Sequence, residues 1–235
     1  MWGAGSYGRL GHGSGSDQHV PKCVDSIASL FVVGMDCGAF HSMVIVDTND
    51  KGILMGFGDN QYGQIGLGNE IMTQDLPREI GGMDNASVME VSCGQYHTLV
   101  VVFHSRMGGR VYSFGFAGNG RLGKIGSKRT MEKVPVPIQN IKQIGGKSQG
   151  RSRRTKRSDM GGEKSVKAIA VGAQHSLAVS ENGTLWGWGD NEYGQTGVEG
   201  ELNGMKISIV QEPREIRKLS QHRVEKIACG SEYSL

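Results

Sequence analysis

At 235 residues the chain has room for one large domain or two small ones, and no apolar run approaches the roughly 18 residues of a membrane helix. Glycine supplies 38 residues, about 16% against a usual share of roughly 7%, while only five prolines exclude a collagen-like or Pro/Gly-rich disordered chain. The net charge is only +3, and the four cysteines show no paired spacing and no secretory pattern precedes them, so reduced thiols in an intracellular protein, cytoplasmic or nuclear, are expected.

The first element is "WGAGSYGRLGHG" from Trp2. Gly3, Gly5 and Gly8 have the spacing of a dinucleotide phosphate loop, which requires a strand before it and a helix after it. Only Met1 precedes Trp2, and Gly11-His12-Gly13-Ser14-Gly15 follows, a run that disfavours a helix. The stretch is instead a turn that recurs without gaps at "FGDNQYGQIGLG", "FGFAGNGRLGKIG" and "WGDNEYGQTGVEG". Its aromatic column is Trp2, Phe57, Phe114 and Trp188. Its glycine columns are Gly3/Gly58/Gly115/Gly189, Gly8/Gly63/Gly120/Gly194 and Gly11/Gly66/Gly123/Gly197. The middle position, Gly5/Asn60/Ala117/Asn191, reads as left-handed turn chemistry with Ala117 as the exception.

About twenty residues after each aromatic comes a proline with aliphatic residues at +3 and +6: Pro21-Val24-Ile27, Pro77-Ile80-Met83, Pro135-Ile138-Ile141 and Pro213-Ile216-Leu219. A short strand then ends in a small-Gly-x-x-His signature, "CGAFHSM", "CGQYHTL" and "VGAQHSL", with "CGSEYSL" as the fourth. Next comes a hairpin back to the aromatic, clearest in "SLAVSENGTLWGWG", where Asn182-Gly183 predicts a type I′ turn. The unit is 55 to 75 residues of short strands and glycine turns, the period of a propeller blade rather than of a helical solenoid. The expected units are 1–56, 57–113, 114–187 and 188–235, in one domain.

These phased signatures resemble the repeats of the regulator of chromosome condensation family, from Trp2 to Leu235. Tyr233 departs from the pattern by replacing histidine, and Thr196 by replacing leucine or isoleucine. The resemblance implies an all-β, seven-bladed propeller. In that family the fold serves guanine-nucleotide exchange, chromatin contact, ubiquitin-ligase substrate capture and scaffolding. It also implies protein partners, a small GTPase among them. Four units without the last hairpin, the equivalent of Val44 to Gly56, cannot close such a ring and leave open strand edges. Three arrangements are open: a segment of a longer chain, a ring completed by another subunit, or a small irregular ring.

His41, His97 and His175 share one column with Tyr233, each in a different unit, so one repeated structural hydrogen bond is expected rather than a metal site. Cys37, Cys93 and Cys229 share a column with Val171 and read as small buried apolar residues, and Cys23 has no neighbouring base. No catalytic constellation, cofactor motif or metal motif emerges. The reading is a non-catalytic protein-interaction scaffold, with exchange on a Ran-type GTPase as the alternative and chromatin association third.

One segment breaks the repeat, Gly145 to Ser165. It has seven basic residues (Lys147, Arg151, Arg153, Arg154, Lys156, Arg157 and Lys164) and two acidic ones, a net +5 that leaves the remaining chain at −2. Its composition predicts an exposed, disordered loop. Such a loop fits a tolerated insertion, an import signal, a contact to an acidic partner or nucleic acid, or a phosphorylation switch at Ser152, Thr155 or Ser158.

Overall fold

The computed structural model describes residues 1–68, 71–83, 86–105, 108–125, 129–139, 141, 165–202 and 204–235. The alternating apolar segments form antiparallel four-stranded sheets. The first holds β1 (Phe31–Cys37), β2 (His41–Asp47), β3 (Gly52–Asp59) and β4 (Thr73–Glu79), in that spatial order. The second holds β5 (Ser87–Cys93), β6 (His97–His104), β7 (Gly108–Phe116) and β8 (Met131–Pro137), also in order. The third is β9 (Val166–Val171), β10 (His175–Ser180), β11 (Leu185–Asp190) and β14 (Ile209–Glu215). Between its last two strands a separate small hairpin pairs β12 (Glu201–Leu202) with β13 (Met205–Lys206).

Each sheet crosses from one sequence repeat into the next. Its first three strands run up to an aromatic-glycine turn, and its fourth follows that turn and carries the next proline, at Pro77, Pro135 and Pro213. The fourth strand is the outer edge, where a missing N–H costs no ladder bond.

The same pairing begins and ends the described array. Gly3 bridges Gln18, as Gly58 pairs with Gln74 in the first sheet, and Cys229 bridges Ser234, as Cys37 pairs with Ser42. The described residues therefore form three complete blades with part of a blade on either side, an open propeller segment.

The core lies between blades. Met43, Ile45 and Leu54 of the first sheet pack with Val91, Tyr112 and Phe114 of the second. Leu99 and Val111 of the second pack with Ile169, Leu177 and Trp188 of the third. All twelve glycines of the three columns have φ between 67° and 112°, the left-handed region where a side chain is strained. Gly66 shows the second reason for glycine: a Cβ there would lie 3.1 Å from the Phe114 ring of the next repeat. Aromatic and glycine therefore recur together because Phe57, Phe114 and Trp188 each rest on the preceding repeat's glycine, Gly11, Gly66 and Gly123.

Two expectations about turns are corrected. The Gly5 column is not left-handed: Gly5 has φ −95° and Ala117 φ −93°. Asparagine serves there through its side chain. Asn60 Nδ2 donates to Ile71 O at 2.7 Å and its Oδ1 accepts from Ile65 N at 3.0 Å. The Asn182-Gly183 turn is not type I′ either, because only Gly183 has positive φ. Gly183 N donates to Ser180 O at 2.9 Å, making a type I turn followed by a left-handed glycine. The Asn182 side chain favours it by accepting from Thr184 N at 3.1 Å.

Candidate partner-binding face

The histidine column joins each blade to the next. His41 Nε2 donates to Thr98 Oγ1 at 2.8 Å, His97 Nε2 to Ser176 Oγ at 3.1 Å, and His175 Nε2 to Ser234 Oγ at 2.9 Å. The direction follows from the hydroxyls, whose own protons go to carbonyls of the glycine turns. Thr98 donates to Gln64 O at 2.7 Å, Ser176 to Arg121 O at 3.1 Å and Ser234 to Gln195 O at 2.7 Å. The ring folds back over its own glycine, and a Cβ on Gly38 would sit 2.3 Å from His41 Cε1. Burial lowers the pKa of His41 and His175 to about 4 and holds His97 well below its ordinary value, so all three are neutral at pH 7.

Phe57, Phe114 and Trp188 are buried, whereas Trp2 and Tyr233, the outermost members of their columns, are exposed. The cysteine expectation of burial is corrected at two positions, Cys37 and the half-buried Cys229. Cys93 is buried and its thiol is pushed well above its usual range, and Cys229 is pushed up to about 11, both mainly by burial. Cys37, in the first blade, is exposed.

The segments 37–39, 93–95, 171–174 and 229–232 line an open cleft of about 570 Å³ where the inner strands converge. Carboxylates tie these strands together. Asp36 Oδ2 accepts from Cys93 N at 2.7 Å, and Glu90 Oε2 accepts from Ile169 N at 3.2 Å. Burial, with the charge of Asp36 adding to it, raises Glu90 to about 7 against the pull of the Ile169 amide. Among the described residues no group of three or more His, Cys, Asp or Glu is placed to hold a metal ion.

Beside the cleft, loops of successive repeats bring surface rings together. Tyr7 meets Phe40 edge-on with centroids 5.6 Å apart, and Phe40 stacks on Tyr96 at 6.2 Å. Tyr96 meets Tyr62 at 5.1 Å, and Tyr62 meets Phe116 at 5.2 Å. A guanidinium lies over each end of the strip, Arg9 at 5.2 Å from the Phe40 centroid and Arg121 at 5.0 Å from that of Phe116. Arg9 Nη1 donates to Ala39 O at 2.9 Å, and Arg121 Nη2 to Gln174 Oε1 at 2.8 Å. The sequence reading passed over this strip. Its signal was two aligned positions, the residue before the second column glycine (Tyr7, Tyr62) and the residue before the histidine (Phe40, Tyr96). Lys147, Arg151, Arg153, Arg154, Lys156 and Arg157 lie outside the described residues.

Comparison with known proteins gives the same architecture. The human E3 ubiquitin-protein ligase HERC2 is 31% identical over 234 residues, which is 100% of this chain and 4% of that protein. The crystal structure of human WBSCR16 superposes with a TM-score of 0.68 at 25% identity, over 97% of this chain and 51% of that one. Prp20p from Saccharomyces cerevisiae gives 0.69 at 20% identity, over 99% of this chain and 50% of that one. The chain thus spans about half the length of the two solved structures and 4% of HERC2. The signature described as "Regulator of chromosome condensation (RCC1) repeat" matches residues 1–45, 51–101, 108–179 and 182–235. With its phased glycine turns, inter-blade histidines and sheets shared between repeats, the chain belongs to the RCC1 repeat family.

Proposed function

We propose that the chain is a non-catalytic protein-interaction module that holds protein partners on its blade loops. The observation that carries this reading is the strip of surface rings on loops anchored by rigid, glycine-locked blades. Rings held in place before binding lose little conformational freedom when a partner covers them. The family supports the reading: the Prp20p structure is described with its binding to Gsp1p and histones, and a second structure shows Kap60 bound to the same yeast protein. The ligase activity in the HERC2 name is not carried over, because this chain matches 4% of that protein.

Exchange on a Ran-type GTPase is the alternative, and it rests on family resemblance alone. The two readings separate in one experiment. Affinity capture with mass spectrometry identifies the partners, and GDP release from a Ran-type GTPase is followed with the chain at substoichiometric concentration. A stable complex with unchanged GDP release is expected. Accelerated release would replace the module reading with exchange, and the absence of any stable partner together with unchanged release would defeat both.

A further inference from the structure

The four glycine turns fall into two kinds. In the second and fourth, the third residue is aspartate and the eighth glutamine, and the two side chains satisfy each other. Gln64 Nε2 donates to Asp59 Oδ2 at 2.8 Å, and Gln195 Nε2 to Asp190 Oδ2 at 2.8 Å. Each glutamine also accepts from the tyrosine two residues before it, Tyr62 N and Tyr193 N, at 2.9 Å. In the first and third turns the aspartate is absent, replaced by Ala4 and Phe116, and the glutamine is Arg9 or Arg121. Arginine has no acceptor to offer the backbone. These two turns tighten into 3-10 turns, Ser6–Gly8 and Gly118–Gly120, and the residue that lost its acceptor enters the left-handed region, Tyr7 at φ 64° and Asn119 at φ 55°.

Asparagine is an ordinary occupant of that conformation, whereas a tyrosine is an outlier there. The third turn shows that the fold is content with asparagine, which simply donates to Gln174 Oε1 at 3.0 Å. The first turn instead keeps a ring in a strained place, and that ring is 52% exposed. The ring's edge-on contact with Phe40 leaves about half of it open, and strain retained at so exposed a side chain points to a use for the ring. The same loop carries Arg9, which lies over Phe40 and donates to Ser6 O and Ala39 O, with no carboxylate within ion-pair distance among the described residues. At the opposite end Arg121 is buried under Phe116, its Nη1 has no hydrogen-bond partner among the described residues, and the charge of Asp190 acts on it. Arg121 is therefore closed off beneath the rings, and the half-exposed Arg9 beside them is the cation arranged for a ligand that brings its own carboxylate and an apolar side chain.

We propose that the strip from Arg9 and Tyr7 across Phe40, Tyr96 and Tyr62 to Phe116 is the docking site for an extended acidic segment of a protein partner. A carboxylate of the segment meets the Arg9 end and an adjacent apolar or proline side chain lies on the rings. This deepens the interaction-module reading and rests on it. Charge complementarity selects the occupant. A single-stranded nucleic acid would also use rings and arginines, but it needs a track of cations along its backbone. Here, of the two cations at the strip, Arg9 alone is open and Arg121 is buried, and the rings are spent largely on one another, edge to face.

The test uses a displayed library of random twelve-residue peptides selected on the protein, with selected peptides then measured by fluorescence anisotropy. Enriched peptides are expected to carry Asp or Glu within two positions of an apolar or proline residue. Tyr7→Asn and Arg9→Gln are expected to weaken them roughly tenfold or more, as for interface anchors. Tyr193→Asn, at an exposed tyrosine outside the strip, should leave them unchanged. Tyr7→Asn should melt no lower than the parent, which separates a lost docking ring from a damaged fold.

Absence of enrichment, enrichment without acidic bias, or binding that survives Tyr7→Asn and Arg9→Gln would overturn the proposal. So would a uridine oligonucleotide that outcompetes the peptides, or a dimer in sedimentation velocity that Tyr7→Asn abolishes, since those assign the strip to nucleic acid or to a second copy. Captured partner proteins that remain bound to both variants would overturn the strip and leave the interaction module standing. No partner on the parent protein would remove the module and the strip together.

Discussion

Phe114 and Trp2 hold the same place in the repeat, yet Phe114 is fully buried and Trp2 is 63% exposed. The pair Val91 and Met35 repeats the contrast on the inner strands, at 7% and 64% exposure. Nothing in the strands themselves explains this. Val91 pairs with Val100 across its sheet as Met35 pairs with Val44. The difference is the neighbour: Val91 is covered by the first blade, with Met43 and Ile45 in the same cluster, and the described residues place nothing comparable over Met35. In a stack of blades each sheet buries its face against the next, so burial belongs to the interface and not to the strand.

The contrast can be broken by substitution. The largest expected effect is Phe114→Ala, at about 3–5 kcal/mol of unfolding free energy from lost burial and the cavity left on Gly66, whereas Trp2→Ala should cost under about 1 kcal/mol. Urea denaturation of both variants checks this. An equal cost would mean that the Trp2 flank is covered in solution.

Next is Thr98→Val, which strands the Nε2–H of His41 and the carbonyl of Gln64 inside the structure and should cost about 1–3 kcal/mol. Ser234→Ala removes the same link at the half-buried outer end, where water can substitute, and should cost under about 1 kcal/mol by the same measure. Equal values in thermal melts would show that the relay is as dry at its end as in its middle.

The histidines add a pH dependence. Their folded pKa values lie below the ordinary 6.5, at about 4 for His41 and His175, so between these values the unfolded chain binds more protons. Stability from this column is complete above pH 6.5 and is lost as pH falls toward 4. Urea midpoints across that range should show the decline, with a shallower slope in His97→Gln. A Tyr233→His change, at an exposed position, should leave the slope as it was.

The smallest effect is expected at Glu90, whose folded pKa is raised to about 7. Its ionised form opposes folding, so the glutamate loses stability relative to glutamine as pH rises from about 4.5 to 7. Glu90→Gln should raise Tm by about 1–3 °C above pH 7 and by nothing below pH 4.5. A gain that is flat with pH would mean that packing, not charge, is responsible.

The repeat was legible because each of its columns answers a local physical demand. A backbone at positive φ requires glycine at Gly58, Gly63 and Gly66 whatever surrounds them, and an edge strand tolerates Pro77. The histidine column was legible as structural because the same residue recurred once per unit. The strip was not legible, since Tyr7, Phe40, Tyr62, Tyr96 and Phe116 stand in different loops and only the stacking of blades makes them neighbours. The left-handed position was misplaced by two residues, at Gly5 rather than Tyr7, because Asn60 and Asn191 suggested backbone tolerance where they supply side-chain hydrogen bonds.

What the amino-acid sequence determined by itself, then, is the blade unit: its turns, its strand ends and its repeat family, all set by steric limits that act within a few residues. The tertiary structure alone decided which aromatic is core and which is surface. It also decided that the fourth strand of every sheet is borrowed from the next repeat, and that Arg9 and Arg121 bracket a run of rings. Those features depend on distances between residues from 30 to nearly 80 positions apart, as between Arg9 and Ala39 or His97 and Ser176. They arise because a propeller blade buries nothing until its neighbour arrives.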